Sequence, residues 1–357
     1  MKTKKQSLSM VLAVIMLIAL CACGGTTSGG NTGGGTTGGG SAPASSGEVY
    51  TLSLSINDPQ GSLLDEHFVT PLQDLLDQKT GNRIKLDVYY SNSLSGMGNT
   101  LDGVKSGLVD IGYDVLTFYP GTYPYTELYG TPGLNLGGFE GFSRVLQDYA
   151  KAFPEPALDP FVIIARFAFG DFGILTANKP VTTIDDVKGM TVRTTTNFIP
   201  WYESMGVSCV TLPMGEVYES LRLSVIDGVH TSVGSLQAFR LAEISSYYTL
   251  FTMCCGDSVF AMSRDLYNSM DAELQKAIDE ICVEMFEIGI QFAYTSTEVT
   301  MNFCKEINPD FEFLQVADTA PFVEAAQTEL LRKAAELDAA GHDGTGALEW
   351  LRARAVK

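Results

Sequence analysis

Positive charge and histidine are scarce in this sequence. Its 357 residues include 23 lysines and arginines against 42 aspartates and glutamates, which gives a net charge of −19, and only 3 histidines. Such an acidic surface repels the phosphates of nucleic acids and anionic lipid headgroups, so we expect neither as a partner. The sequence has no CxxC pair and no His/Cys spacing typical of zinc, and we expect no metal ion and no cofactor.

Motifs of the common hydrolases and nucleotide-binding enzymes are also absent. The sequence contains no HExxH, no G-x-S-x-G and no phosphate-binding glycine loop after a strand. His67, His230 and His342 lie far apart, and no pair of carboxylates has a spacing that distinguishes it from a solvated face. We therefore expect a protein that is not an enzyme.

The cysteines do not form the pattern of a disulfide framework. Beyond residue 23 their number is odd and two of them are adjacent, so we interpret them as buried small hydrophobic residues. They are Cys209, Cys254, Cys255, Cys282 and Cys304.

The N-terminus contains a short apolar run, Leu8 to Leu20, after three lysines. About 13 residues are too few to span a bilayer as a helix, so residues 1–22 are predicted to be a signal peptide. The order Leu20-Cys-Ala-Cys-Gly resembles the bacterial lipobox, which implies that Cys23 is acylated and becomes the mature N-terminus. The alternatives are an uncleaved anchor and an ordinary secretory signal. Loss of the three lysines would take the net charge to −22.

Residues 23–48 are rich in Gly, Ser and Thr and can form no core, so they are predicted to be a flexible tether. A tether of this length has a root-mean-square span of roughly 25–30 Å.

From residue 49 the chain alternates strand and helix patterns. Residues 49–57 and 83–90 alternate apolar and polar side chains, as strands do, and the amphipathic segment between them contains Pro71 in or near its first turn. The short apolar run LVDIGYDV at residues 108–115 suits a buried parallel strand. This alternation predicts an α/β fold with a largely parallel sheet.

A second α/β unit and a long helix follow. Residues 180–229 alternate loop, helix and strand patterns twice more. Asp271 is the predicted N-cap of a helix with an apolar repeat that persists to about Val299, a rod of about 45 Å that can brace two lobes. Two further helices are predicted at about residues 321–340 and 347–354.

One part of this second unit resembles a known family. IDDVKGMTVRT at residues 184–194 and ESMGVSCVTLPMGEVYESLRLSVIDG at residues 203–228 resemble the dicarboxylate-binding type of solute-binding subunit of TRAP (tripartite ATP-independent periplasmic) transporters. The shared elements are a Lys-Gly-x-x-x-Arg strand and a later Glu-Val-Tyr helix. The similarity is good over residues 184–228, and fainter but colinear over residues 49–136 and 263–299.

The resemblance implies a two-lobed α/β fold of the periplasmic-binding-protein type (class II), with hinge strands and a long bracing helix. We expect the chain to be divided into lobe I, residues 49–170 plus 260–300; lobe II, residues 171–259; and C-terminal helices that pack on the lobes, residues 301–357.

In the family, the arginine of the Lys-Gly-x-x-x-Arg strand pairs with the carboxylate of the ligand, and the match gives this role to Arg193. The choice is chemically sound, because a planar guanidinium binds a carboxylate through two parallel hydrogen bonds and keeps its charge at any relevant pH. The alternative is an exposed strand arginine that pairs with Asp186 or Glu216.

The sequence departs from the family pattern at several positions. Gly173 stands where many relatives have a second ligand-binding arginine, Thr231 where they have an asparagine, and Met214 where a phenylalanine lines the pocket. These changes make a dicarboxylate less expected than an acid with one carboxylate and a bulky or aromatic apolar part. We expect contacts also from Trp201, Asn197 and Phe172, for which ordinary core packing is the alternative.

In lobe I, the end of the third strand is the matching place for ligand contacts, because open α/β sheets bind ligands at the carboxyl ends of their strands. Tyr113 and Asp114 lie there. Asp114 is expected to orient a hydroxyl or amine of the ligand, or alternatively to cap the helix that follows it.

As a whole, the resemblance implies an extracytoplasmic protein, held at the outer face of the cytoplasmic membrane or in the periplasm by its lipid anchor only. It would capture a small organic acid and deliver it to the TRAP membrane subunits. The alternative is a substrate-binding lipoprotein of an ABC importer or of a sensor system, which the sequence of this chain leaves open.

Overall fold

The computed structural model of the protein describes residues 47–170, 172–251 and 253–356. The predicted signal peptide, Cys23 and nearly all of the predicted tether lie outside the described residues. In chain order the strands are β1 Tyr50–Ser55, β2 Ile84–Tyr89, β3 Ile111–Val115, β4 Phe161–Phe169, β5 Phe172–Thr176, β6 Thr191–Arg193, β7 Ser208–Val210, β8 Gly228–Ser232, β9 Tyr247–Leu250, β10 Gly256–Ser263 and β11 Glu312–Gln315.

The helices are α1 Thr70–Thr80, α2 Thr100–Ser106, α3 Pro124–Tyr129, α4 Gly138–Ala152, α5 Ile184–Val187, α6 Ile199–Ser204, α7 Met214–Arg222, α8 Ser235–Ala238, α9 Arg264–Ser269, α10 Ala272–Ile307, α11 Ala320–Ala339 and α12 Gly344–Arg352. They include those predicted and four that were not predicted, α3, α4, α8 and α9. No helix of the described residues is both long enough and apolar enough to cross a membrane.

The strands form two sheets, one in each lobe. The sheet of lobe I has the order β2-β1-β3-β10-β4, in which β2, β1 and β3 are parallel and β10 is antiparallel to both of its neighbours. The sheet of lobe II has the order β11-β9-β5-β8-β6-β7, in which β8, β6 and β7 are parallel. The prediction of a two-lobed α/β fold is confirmed.

Helix α10 leads from β10 of lobe I to β11 of lobe II, and two shorter segments also pass between the sheets. The chain leaves lobe I at the end of β4 and begins β5 of lobe II at Phe172, and it returns to lobe I between the end of β9 at Leu250 and the start of β10 at Gly256. These two passages stand where the family resemblance predicts hinge strands. Lobe I therefore takes up the chain again at Gly256, four residues before the boundary predicted at residue 260.

The ends of α1 follow from its sequence. Pro71 lies in the first turn, where its missing N–H is not needed, after a π-helical turn at Asp65–Val69. Leu72 and Leu76 are buried on one face against the core of lobe I. The helix ends at Gly81, which adopts φ 61°, a left-handed conformation that glycine tolerates.

Helix α10 is the longest element of the described chain. Its N-cap is Asp271, as predicted, and this side chain accepts hydrogen bonds from the backbone N–H groups of Glu273 (3.1 Å) and Leu274 (3.0 Å). The helix continues to Ile307 rather than to about Val299, so its 36 residues extend about 54 Å. It packs against β4, α1 and α4 of lobe I and against α8 of lobe II.

The C-terminal segment differs from the prediction of helices alone. Between α10 and α11 the chain forms β11, which pairs in parallel with β9 at the edge of the lobe II sheet. The segment therefore extends a sheet as well as packing on the lobes.

Candidate functional site

A cavity of about 300 Å³ lies between the two sheets. It is bounded by the segment that follows β1 in lobe I and by the segment that follows β8 in lobe II, both at carboxyl ends of strands. Side chains from β3, β4 and α10 complete its walls. The lining residues are 57–64, Tyr113, Phe139, Phe167, Ala168, Gly170, 232–235, 237–239, Phe292 and Ser296.

The walls of this cavity are aromatic and carry one carboxylate. Among the described residues that line it there is no lysine, arginine or histidine, and its acidic side chain is Asp58. Burial raises the pKa of the Asp58 carboxyl to about 6. No hydrogen bond or ion pair joins this carboxylate to another described residue.

Asp58 also influences Tyr113, which lines the same cavity from β3 of lobe I. Burial is the main cause that raises the pKa of the Tyr113 phenol, and the negative charge of Asp58 adds to it. The Tyr113 hydroxyl lies 3.2 Å from the hydroxyl of Ser258. Tyr113 therefore lines the cavity as a neutral hydrogen-bonding ring.

Two further acceptors in the cavity walls have no partner among the described residues. They are Oδ1 of Asn57, from lobe I, and Oε1 of Gln237, from lobe II, and both atoms are buried. A buried polar atom without a hydrogen bond is costly, so both are positions at which a donor from a bound molecule would be stabilising.

Arg193 lies at the carboxyl end of β6, and only 8% of it is exposed. Its Nε donates a hydrogen bond to the carbonyl oxygen of Leu212 (3.0 Å), whereas its Nη groups make no hydrogen bond with the described residues. Burial lowers the pKa of the guanidinium from its ordinary value.

The proposed alternative partners of Arg193 are engaged elsewhere or exposed. The Asp186 carboxylate accepts hydrogen bonds from the backbone of Thr182 (3.0 Å) and Thr183 (2.8 Å), and Glu216 is exposed. No described carboxylate lies within ion-pair distance of Arg193. The guanidinium is therefore a buried positive charge without a carboxylate partner among the described residues.

Arg193 shares one face of the lobe II sheet with Thr231. Arg193 is in register with Val229 of β8, and side chains two residues apart on a strand point to the same side, so Thr231 lies on this face too. Thr231 is 5% exposed, and Met214 is half-buried at the start of α7. Arg193 does not line the 300 Å³ cavity, although β6 and β8 are parallel and end at the same edge of the sheet.

Trp201 and Phe172 lie in the core of lobe II and not in the cavity walls. Trp201 is fully buried, and its indole N–H donates to the carbonyl oxygen of Phe322 in α11 (2.9 Å). The Phe172 ring packs 5.5 Å from Phe198 and 5.2 Å from His230, measured between ring centroids. The structure does not bring either residue together with Arg193.

Asn197 lies in the turn after β6, where its Oδ1 accepts a hydrogen bond from the hydroxyl of Thr195 (2.7 Å). It is half-buried and does not line the cavity.

Asp114 is fully buried and faces away from the cavity. Its carboxylate accepts hydrogen bonds from the backbone N–H of Gly98 (2.9 Å) and Thr100 (3.0 Å) and from the Tyr119 hydroxyl (2.5 Å). Burial raises its pKa, and these hydrogen bonds oppose that shift. The carboxylate thus holds the start of α2, which precedes it, rather than capping the helix that follows.

His230 is a neutral residue of the same core. Its ring is surrounded by aromatic side chains, and its Nδ1 lies 3.3 Å from the hydroxyl of Thr194. Burial, and second the charge of Arg193, lower its pKa to about 3. Among the described residues, no group of His, Cys, Asp and Glu side chains could hold a metal ion.

The sequence analysis missed Asp58, Asn57 and Gln237. A signal for the first two was present, because the turn DPQGS comes directly after a strand and the carboxyl ends of such strands are where ligands bind. No sequence pattern indicated Gln237, because the short helix α8 that carries it forms through its packing in lobe II.

Comparisons with known proteins agree with this architecture. The family model for the bacterial extracellular solute-binding proteins, family 7, matches residues 55–337. A solute-binding protein of Chromohalobacter salexigens is 25% identical over 227 residues, which cover 60% of this chain and 67% of that protein. The ectoine/5-hydroxyectoine-binding periplasmic protein of Ruegeria pomeroyi is 21% identical over 304 residues, 81% of this chain and 88% of that protein.

Among solved structures, a TRAP solute-binding protein from a marine metagenome, in complex with 3-hydroxybenzoate, superposes with a TM-score of 0.78. The two chains are 21% identical, and the match covers 86% of this chain and 98% of the other. At this level of identity the likeness shows the fold.

Proposed function

Because the chain belongs to family 7 of the bacterial extracellular solute-binding proteins, we propose that it captures a small organic acid outside the cytoplasm and delivers it to the membrane subunits of a TRAP transporter. The acid binds between the lobes, and its carboxylate pairs with Arg193. The relatives that bind 3-hydroxybenzoate and ectoines, both of which carry a carboxylate, support this class of ligand.

The observation that carries the proposal is the buried guanidinium of Arg193, which faces no carboxylate of the described chain. Placing a charge out of water without a partner is expensive, so proteins rarely keep one without a use. A carboxylate ligand would supply the missing charge and accept two hydrogen bonds from the guanidinium.

The cavity fits a small ligand. Its volume of about 300 Å³ is within the range of pockets that hold small ligands. Aromatic walls suit an apolar part, and the position between the two sheets lets closure of the lobes bury the ligand. Tyr113 lines this space, and Thr231 and Met214 lie on the Arg193 side.

A thermal-shift screen of the purified protein against aliphatic, aromatic and hydroxylated carboxylic acids tests the proposal. A ligand present at 100 times its dissociation constant adds about 2.7 kcal/mol to the free energy of unfolding and raises the melting temperature accordingly. Small-angle scattering should show that the protein is more compact with the identified ligand than without it. Binding of uncharged sugars together with no response to any carboxylate would refute the proposal.

The attachment to the membrane is a separate proposal. Cys23 is the lipidated N-terminus of the mature protein, and residues 24–48 tether the folded part to the bilayer. Replacing Cys23 by serine should move the protein from the membrane fraction to the soluble exported fraction, whereas Cys21→Ser should leave it in the membrane fraction. Identical fractionation of the two variants would contradict this proposal.

A further inference from the structure

The lobe I side of the cavity is built to receive a hydrogen-bond donor and not an anion. Asp58 stands there without a partner among the described residues, beside the buried and unpaired Oδ1 of Asn57. Gln237 contributes a third acceptor, its Oε1, from lobe II. Three acceptors line one cavity that has no lysine, arginine or histidine in its described walls.

This set of groups is best matched by a protonated amine. An ammonium group carries a positive charge for Asp58 and three N–H donors, one for each acceptor. A ligand hydroxyl has a single donor and no charge, so it would leave the negative charge of Asp58 without a counter-charge and two of the three acceptors without a donor. Phe139, Phe167 and Phe292 line the same cavity, and a less polar environment of this kind strengthens an ion pair.

We infer that the captured acid also carries a protonated amino group, which Asp58 binds together with the amide oxygens of Asn57 and Gln237. The inference rests on the proposed function, because it adds a second end to the ligand whose carboxylate pairs with Arg193. The ligand is then a zwitterion that joins the two lobes, with its negative end in lobe II and its positive end in lobe I. Its apolar part occupies the space between the aromatic walls.

The state of Asp58 in the empty cavity agrees with this role. Burial raises its pKa to about 6, so the carboxylate is ionised but poorly solvated at neutral pH. An arriving cation relieves this penalty, whereas a second anion would increase it. The same cavity therefore discriminates against an acid that presents a carboxylate to lobe I.

A screen of matched pairs tests the inference. Each pair consists of a carboxylic acid and its α-amino counterpart, from propionate and alanine to 3-phenylpropionate and phenylalanine, with lactate and 3-phenyllactate as hydroxyl analogues. We expect at least one amino member to raise the melting temperature at pH 7. In calorimetry it should bind at least about tenfold more tightly than its acid and hydroxyl partners, because truncating one side of a buried charge pair has effects of this size or larger.

Variants of Asp58 complete the test. Asp58→Asn keeps the shape but removes the charge, so the preference for the amino member should fall to about threefold or less. Gln237→Leu should weaken the amino member by a smaller factor. Asp74→Asn is the matched control, because Asp74 is exposed on α1 and makes no hydrogen bond with the described residues. Without ligand, Asp58→Asn should melt no lower than the wild type, since burial disfavours the charged form.

The outcomes separate this inference from the proposed function. Binding of plain acids but of no amino member overturns the inference and leaves the proposed function intact. A preference for the amino member that persists in Asp58→Asn also overturns the inference. No binding by any member of the panel counts against both.

Discussion

The Tyr248 ring occupies the space beside Gly173 that a side chain at position 173 would need. A Cβ built on Gly173 would lie 2.8 Å from this ring and closer still to the carbonyl oxygen of Thr249. The Tyr248 hydroxyl is held by its hydrogen bond to the carbonyl oxygen of Thr231 (2.8 Å). The lobe II sheet thus has no room for the second arginine that the family pattern places here, and Arg193 is the cation that remains on this face.

Gly173→Ala is therefore expected to destabilise the protein. The added methyl must displace the backbone of β9 or the ring of Tyr248, and overpacking of this kind costs about 1–3 kcal/mol or more. Gly215→Ala is the matched control, because a Cβ there meets open space in helix α7, where alanine is favoured over glycine by up to about 1 kcal/mol. Urea denaturation gives the free energy of unfolding of both variants. Equal stability of Gly173→Ala and the wild type would contradict the steric argument.

Arg193→Ala is expected to weaken ligand binding by roughly 2–5 kcal/mol, the usual cost of removing one partner of a buried charged pair. Arg193→Lys should lose part of this amount, because an ammonium keeps the charge but not the planar fork. Calorimetry with the ligand identified by the screen provides the measurement. Arg222→Ala is the control, since Arg222 is exposed and pairs with Glu219 on α7. A loss of affinity of less than about threefold in Arg193→Ala would contradict the assignment of Arg193 as the partner of the ligand carboxylate.

Trp201→Phe is expected to lower stability and leave ligand affinity unchanged. The change removes the indole N–H, which donates a second hydrogen bond to the Phe322 carbonyl oxygen, and one such bond is worth about 0.5–1.5 kcal/mol net, to which loss of the larger buried ring adds. Trp350→Phe should cost less, because this indole is only partly buried. A fall in affinity at unchanged melting temperature would instead mean that Trp201 contacts the ligand.

Glu155→Gln is expected to change the pH dependence of stability. Burial raises the pKa of Glu155 to about 7, and Oε2 of this side chain has no partner among the described residues. Between about pH 4.5 and 7 the folded protein therefore holds a proton that the unfolded chain has lost. The free energy of unfolding accordingly falls as pH rises through this window and is level above it.

Glutamine cannot ionise, so the free energy of unfolding of the variant should not fall over this pH range. At pH 8 it should exceed that of the wild type by up to about 3 kcal/mol, and near pH 4 the two should differ little. Denaturation curves at a series of pH values give the comparison. Glu324→Gln, an exposed substitution on α11, should follow the wild type throughout. The same difference at pH 4 and pH 8 would show that Glu155 does not titrate in this way.

The sequence predicted the elements of residues 49–115 and 180–229 and the C-terminal helices, but not α3, α4, β4 and β5 between residues 124 and 176. Regular apolar periods identify β1, α1 and α10 because burial of one face requires them. Strand β11 has four residues and no clear alternation, and it forms because the exposed edge of β9 is available to pair with it. Such pairing depends on tertiary position, which a local pattern does not contain.

The place of Arg193 at the end of β6 was predictable because a motif specifies this strand and its end. Tyr113 was expected at the end of the third strand, but it lies in the middle of β3, from where it lines the cavity. The site was not predictable where the direction of a side chain depends on packing. Trp201 follows Arg193 by eight residues and Phe172 lies two strands away in the same sheet, but both pack in the core on the opposite face of the sheet. Asp114 is next to a cavity residue, and strand alternation alone turns it away from the cavity.

Helix α10 has a mechanical consequence for the whole molecule. The helix is unbroken over 36 residues and packs against both lobes. The lobes cannot rotate freely about the two short connecting segments, because every change in the distance between the lobes must bend or shift α10. We therefore expect the stiffness of α10 to limit how far the two lobes move apart and together.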